Sequence, residues 1–279
     1  MLKELTLTGE IDKVEVAMAR LRLHEKEALR LNQEGYYVTF SGGKDSCVVL
    51  DLCKRAGVKF TAHYNLTTVD PPEVVQFIRH EYPEVIRELP KETMWQMIER
   101  KEIFPTRLAR YCCQELKERG GKGHYYVVTG IRWQESARRK KRKLVEPCRT
   151  GQRGKMFLHP IIDWSEAEVW EYIRTYNVKY CKLYDEGFKR IGCVFCPFGS
   201  KAEKEMWLKR YPQIAKAYIA AMDRALVKRE KEGKKIIWRS GKECFDWGIT
   251  GKRAEKIDMG DEEPKEINLF GLMCDESYL

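Results

Sequence analysis

Residues 36–46 read Tyr36-Tyr37-Val38-Thr39-Phe40-Ser41-Gly42-Gly43-Lys44-Asp45-Ser46, and this stretch decides the fold. Tyr36 to Phe40 is a short β-branched and aromatic run, the pattern of a buried strand. The apolar stretch from Cys47 to Cys53 has the character of a helix. Between them lie two glycines, two serines, a lysine and an aspartate. A strand, a glycine turn and a helix start aim free backbone N–H groups and a helix N-terminus at one spot. The glycines let an anion approach the backbone closely. Ser41 and Ser46 add hydroxyls and Lys44 adds a positive charge. The chemistry suits a phosphate. The spacing is not that of a Walker loop, which needs four residues between its first glycine and Gly-Lys-Ser/Thr.

Working outward, strands alternate with helices. Residues 10–34 carry apolar residues at helical spacing, so 1–34 is expected to be an N-terminal helical segment. Val58 to Leu66 predicts a second strand, followed by helices over 74–82 and 94–101. Tyr125 to Gly130 predicts a third strand. Ser165 opens a capping pattern for a helix with Val169, Trp170 and Ile173 inward. This is an α/β, doubly wound, mostly parallel sheet. Ligands in such sheets bind at the carboxyl ends of strands. The glycine loop, Asp70 and Gly130-Ile131-Arg132 all fall at such ends. Residues 201–279 are expected to form a helical C-terminal extension and tail, broken at Pro212, with 236–251 as a short lid.

The chain has 279 residues, 43% of them hydrophobic, enough to bury a core. It lacks a long apolar run and an apolar leader, so neither a membrane partner nor export is expected and a cytoplasmic location is. Six of its +10 net charges sit in one block, Arg138-Arg139-Lys140-Lys141-Arg142-Lys143. Such a block is either a solvated loop or a contact for an anionic partner, a nucleotide or a nucleic acid backbone.

Ten cysteines without a leader argue for metal or redox chemistry rather than a disulfide scaffold. Cys193-Val194-Phe195-Cys196 has the spacing that lets two thiolates meet one metal centre. Cys112-Cys113 is adjacent, which suits two corners of a cluster better than one tetrahedral zinc. Buried inert thiols and a zinc site remain open alternatives. Cys47 and Cys53 read as helix packing.

Ser41-Gly42-Gly43-Lys44-Asp45-Ser46 resembles the PP-loop of the adenine-nucleotide α-hydrolase superfamily. With Cys112-Cys113, Gly130-Ile131-Arg132, Glu135-Ser136, Arg138, Trp164 to Trp170 and Gly192-Cys193 to Cys196, the order is similar to that of iron–sulfur members of the phosphoadenylylsulfate (PAPS) reductase family, over about residues 35–200. The resemblance implies a 4Fe–4S cluster on Cys112, Cys113, Cys193 and Cys196. It implies nucleotide binding by Ser41, Gly42, Gly43, Lys44, Asp45 and Ser46, with Asp70, Gly130 and Arg132 beside them. Arg132 and Arg138 are expected to neutralise charge at the α-phosphate, and Asp45 to orient the loop or reach Mg2+ through water.

Sulfonucleotide reductases carry a C-terminal Glu-Cys-Gly-Leu/Ile-His motif, which is absent here. The nearest candidate nucleophile is Cys274, among acidic residues. The complete loop looks like that of relatives that cleave ATP to AMP and pyrophosphate, adenylate an oxygen and replace it with sulfur. The first expectation is therefore ATP-dependent adenylation for iron–sulfur-assisted sulfur transfer, with a nucleic acid acceptor and a sulfur donor protein as candidate partners. The second is a PAPS or adenylylsulfate (APS) reductase that uses Cys274 and thioredoxin. The third is a non-catalytic nucleotide- and nucleic-acid-binding module.

Overall fold

The computed structural model describes residues 1–6, 9–118, 120–121, 123–148 and 155–251. The chain opens with a hairpin, β1 (Lys3–Thr6) and β2 (Gly9–Asp12), where a helical segment was expected. Helix α1 (Lys13–Leu31) follows, capped by the Asp12 carboxylate. The hairpin has little apolar content and is held by tertiary contacts: Leu2 is buried, and its N–H donates to Glu171.

The centre of the fold is the expected unit. Strand β3 (Tyr36–Thr39) runs into α2 (Lys44–Ala56), then β4 (Phe60–Asn65), α3 (Pro72–Glu81) and β5 (Ile86–Glu88). Helices α4 (Met94–Lys101) and α5 (Tyr111–Leu116) lead to β6 (Tyr126–Val128). Next come β7 (Val145–Pro147), β8 (Met156–Leu158) and α6 (Glu166–Thr175). The six-stranded sheet has the order β5-β4-β3-β6-β8-β7, and only β7 is antiparallel to its neighbour.

The chain leaves β3 toward β4 and β5, then returns to place β6 on the other side of β3. The crevice at the carboxyl ends of β3 and β6 is thus a switch point, where open α/β sheets bind ligands. Strand β3 is fully covered, with Tyr36 and Val38 wholly buried, as a central parallel strand requires. Helix α2 packs between α1 and α6. Its inner face includes Cys47 and Cys53, whose burial pushes both thiols well up, as expected of packing residues.

Helices α7 (Lys201–Arg210) and α8 (Pro212–Lys231) meet at Pro212, at the first turn of α8. Helix α9 (Gly241–Thr250) was expected as a lid, but it packs on α8. A side chain at position 241 would strike the Ile219 carbonyl, and one at 248 would strike the Phe104 ring. Trp170, expected inward on α6, is half-buried against Tyr180 and Tyr184, while Tyr172 takes the inner position. Among the described residues, no helix is long and apolar enough to cross a membrane.

Candidate active site

The turn after β3 is built tightly. Gly42 has φ +70°, and a Cβ there would lie 2.8 Å from Cγ1 of Val74 on α3. Only glycine takes this conformation without strain. The Ser46 hydroxyl donates to the Gly43 carbonyl at 2.8 Å and accepts the Ser41 N–H at 3.2 Å. The Ser41 and Ser46 hydroxyls lie 3.2 Å apart. Gly43 caps α2 without any side-chain cap bond. The N-terminus of α2, with its positive dipole end, is therefore not blocked by a carboxylate or hydroxyl from its own cap, and an anion can take that place.

Two cations are held beside this loop. Lys44 is buried, with Nζ 3.2 Å from Oε1 of Glu166 and 3.6 Å from Oδ2 of Asp45. Its ammonium lies 5.4 Å from the centre of the Tyr184 ring. The Lys44 N–H donates to the Tyr184 hydroxyl at 2.9 Å. Arg132 is only 3% exposed. Its Nε donates to Oδ1 of Asp45 at 2.5 Å, and its Nη1 reaches the Trp164 carbonyl at 3.3 Å. Gly130 permits this approach, because a Cβ there would lie 3.0 Å from the Asp45 carbonyl group. With both carboxylate oxygens facing cations, Asp45 fits the loop-orienting role better than that of a magnesium ligand. Glu166 and Tyr184 were not foreseen: each is distant in sequence, with no local motif to mark it.

The two cysteine segments converge at the end of β4. The Cys193 thiol donates to Oγ1 of Thr67 at 3.4 Å, and the Val194 N–H donates to the Val69 carbonyl at 2.8 Å. Asp70 belongs to this corner: its Oδ2 accepts the Thr67 N–H at 2.6 Å, and its charge acts on Cys193 and Lys117. The Cys112 thiol donates to Cys113, which raises Cys112; burial and the charges of Cys113, Cys193 and Cys196 raise it further. Cys113 is correspondingly held low, by Cys112 first and then by Lys117 and Arg110. Burial pushes Cys193 up, and Lys117 opposes it. All four sulfurs thus share one electrostatic neighbourhood.

The donor set fits an anionic cluster. Lys117 and Arg110 act on Cys113, and Lys204 feels Cys196. The buried Nε of Arg110 has no hydrogen-bond partner among the described residues, and an anionic group on the neighbouring thiols would satisfy it. Among the described residues, no three His, Cys, Asp or Glu side chains stand close enough to share a single ion.

Arg138 is exposed and starts a short 3-10 turn, Arg139–Lys141. Within the basic block Arg139 pairs with Glu135, and Arg142 pairs with Glu146 at 2.6 Å. Cys274 lies outside the described residues. Of the histidines, His63 bridges Glu88 and Thr61 on the sheet, and His159 is wholly buried against Thr129. Both are engaged in packing on the sheet.

Residues 35–198 match the phosphoadenosine phosphosulfate reductase domain family. The chain is 28% identical over 249 residues to an uncharacterised protein of Methanocaldococcus jannaschii, covering 80% of this chain and 60% of that protein. It is 37% identical to the adenosine 5′-phosphosulfate reductase of Neisseria meningitidis, over 37% of this chain and 43% of that one. It is 31% identical to a probable FAD synthase of Schizosaccharomyces pombe, over 56% and 58% of the two chains. Among solved structures, the U34-tRNA thiolase of Methanococcus maripaludis with its [4Fe-4S] cluster aligns at TM-score 0.43 and 13% identity, over 81% and 82% of the two chains.

Proposed function

Since the chain belongs to the phosphoadenosine phosphosulfate reductase domain family, we propose that it is an ATP-cleaving member that adenylates an acceptor for sulfur transfer. One observation carries the reading. The N-terminus of α2, which has no capping side chain of its own and gives one N–H to the Tyr184 hydroxyl, lies at the switch point of the sheet, with buried Lys44 and Arg132 fixed on either side of Asp45. That arrangement suits a pyrophosphate leaving group: backbone N–H groups and Lys44 hold the β- and γ-phosphates. Arg132, joined by Arg138 from the exposed turn, faces the charge that develops at the α-phosphate. Cations placed in advance stabilise such charge most effectively. An acceptor oxygen attacks the α-phosphorus, the α–β bond breaks and pyrophosphate leaves with its electron pair. A sulfur nucleophile then displaces AMP from the acceptor.

Cys112, Cys113, Cys193 and Cys196 would hold a 4Fe–4S cluster, which can carry a sulfur ligand or simply join the two segments. Lys117 and Arg110 stabilise the thiolates, and Thr67 and Val69 fix the Cys193 loop against the end of β4. The sulfur donor is expected to be a separate protein.

The similarity to adenosine 5′-phosphosulfate reductase favours a second reading. There Cys274 attacks the sulfate sulfur of PAPS or APS and thioredoxin releases sulfite. The similarity to a probable FAD synthase favours the first, since that chemistry also joins AMP to an acceptor.

The test is anaerobic purification, iron analysis, and separate incubation with ATP and with PAPS or APS. AMP and pyrophosphate from ATP, from a protein with about four irons, are the expected result. Sulfite that disappears in Cys274→Ser would replace this reading with the reductase. No turnover of any of these nucleotides would sink both and leave a binding module.

A further inference from the structure

Beside the phosphate loop lies a groove of about 460 Å³ that the proposed reaction leaves unused. It runs between the segment after β6 and the start of α6, and its lining includes Trp133, Gln134, Lys140, Trp164 and Ser165. Trp133 is next in sequence to Arg132, so the groove adjoins the crevice directly. An exposed tryptophan normally moves freely. Trp133 is 41% exposed, yet its indole N–H donates to the Arg142 carbonyl at 2.8 Å, which fixes the ring. Deeper in the groove wall, the indole N–H of Trp164 is buried with no partner among the described residues.

The charges around this ring are not self-neutralised. Arg139 and Arg142 have carboxylate partners. Arg138, Lys140, Lys141 and Lys143 are exposed, and no ion pair is formed by any of the four among the described residues. A fixed aromatic face flanked by unpaired cations is the combination that binds single strands: a base stacks on the ring while phosphates follow the cations. Arg142 itself lies over the Phe157 ring at 5.9 Å, so a second aromatic sits on the same edge.

We infer that this groove is the acceptor subsite, and that the acceptor is a single-stranded or looped nucleic acid. One base stacks on Trp133, its backbone runs along Lys140, Lys141 and Lys143, and the next nucleotide reaches the crevice past Arg132. This rests on the adenylating reading above and gives its acceptor a class. Stacking on Trp133 needs a base free of its pairing partner, so unpaired strands are selected.

The test uses the full chain and fluorescein-labelled single-stranded RNA and DNA of mixed sequence, read by anisotropy across a salt series, with AMP formation scored separately. Wild type should bind, with affinity falling linearly in log salt. Trp133→Ala should weaken binding about tenfold or more at every salt concentration without changing the slope. Trp133→Phe should recover most of the loss, which separates stacking from misfolding. Replacing Lys140, Lys141 and Lys143 together by Gln should lower the slope by about 2. Binding unchanged in Trp133→Ala, equal binding of a duplex, or displacement of the strand by ATP alone would each overturn the inference. AMP formation by a wild type that binds no strand would overturn it and leave the proposed reaction standing. Strand binding without any AMP would uphold the groove and remove the reaction.

Discussion

The guanidinium of Arg132 is bound to the carboxylate of Asp45, Nε to Oδ1 at 2.5 Å, and so ties the segment after β6 to the first turn of α2. The two strands that flank the crevice are thereby locked at their carboxyl ends. Arg132 is nearly fully buried, whereas the Asp45 side chain is 22% exposed. Removing one partner of such a pair leaves a charge without compensation, at a cost of about 3 kcal/mol. Asp45→Ala should therefore lower stability by that order in urea unfolding and also abolish nucleotide turnover. Arg132→Lys should not restore turnover, because an ammonium cannot reproduce the planar fork that reaches Asp45, Gln134 and Trp164 together. Wild-type stability in Asp45→Ala would show that the pair is not what holds the strand ends.

Lys44 should behave differently. Its partner Glu166 has a side chain 54% exposed, so water can solvate the carboxylate left behind. Lys44→Ala should leave the melting temperature nearly unchanged while reducing AMP formation by about 10²- to 10³-fold, mainly in kcat. A large fall in melting temperature with a small fall in kcat would assign Lys44 a structural role instead.

The contrast between these two residues tracks what the sequence could reveal. The β3–α2 turn was legible because its strand is a continuous apolar run and its glycines, serines and lysine are contiguous. Helices α1, α2 and α4 were readable from their apolar residues, and α6 from the capping pattern at Ser165. Strands β5, β7 and β8 have three residues each, and the side chains of β5 are all exposed. A periodicity of 2 cannot register in so short a run. The hairpin β1–β2 owes its position to Leu2, Glu168 and Glu171, which are contacts across the whole fold. The same holds for the site. Lys44 and Asp45 could be read, but Tyr184 and Glu166, which fix Lys44, come from the far end of the domain. Asp70 was rightly placed at a strand end, yet only the structure assigns it to the cysteine corner.

His159 gives the fold an acid limit. It is wholly buried, with Nδ1 2.7 Å from Oγ1 of Thr129 and Nε2 3.4 Å from Oε1 of Glu146. Burial lowers its pKa from 6.5 to about 4, with Arg142 adding to the effect and Glu146 opposing it. Between those values the unfolded chain binds the proton and the native one does not. The stabilisation is complete above pH 6.5 and is lost progressively as pH falls toward 4. Unfolding free energy should drop by on the order of 2 kcal/mol from this group between pH 7 and 5. His159→Gln should flatten that slope, and an unchanged slope would assign the acid sensitivity elsewhere.

Phe195 sits between Cys193 and Cys196 with φ +58°, a left-handed conformation that a β-carbon disfavours. Glycine at this position would relieve about 1 kcal/mol of strain. The ring, however, is 2% exposed and packs at 5.1 Å from Phe245 and 5.9 Å from Tyr218, ring centre to ring centre. Deleting a buried phenylalanine costs about 4 kcal/mol. Packing outweighs strain, so Phe195→Gly should be destabilising by about 3 kcal/mol. The turn places the two cysteines, so the variant should also retain less iron than wild type after anaerobic purification. Phe195→Leu keeps most of the buried volume but not the strain relief, and should fall between the two in both measurements. If the glycine variant were instead more stable than wild type and kept its iron, strain would dominate at this turn, and the aromatic packing would have no part in holding the cysteine pair.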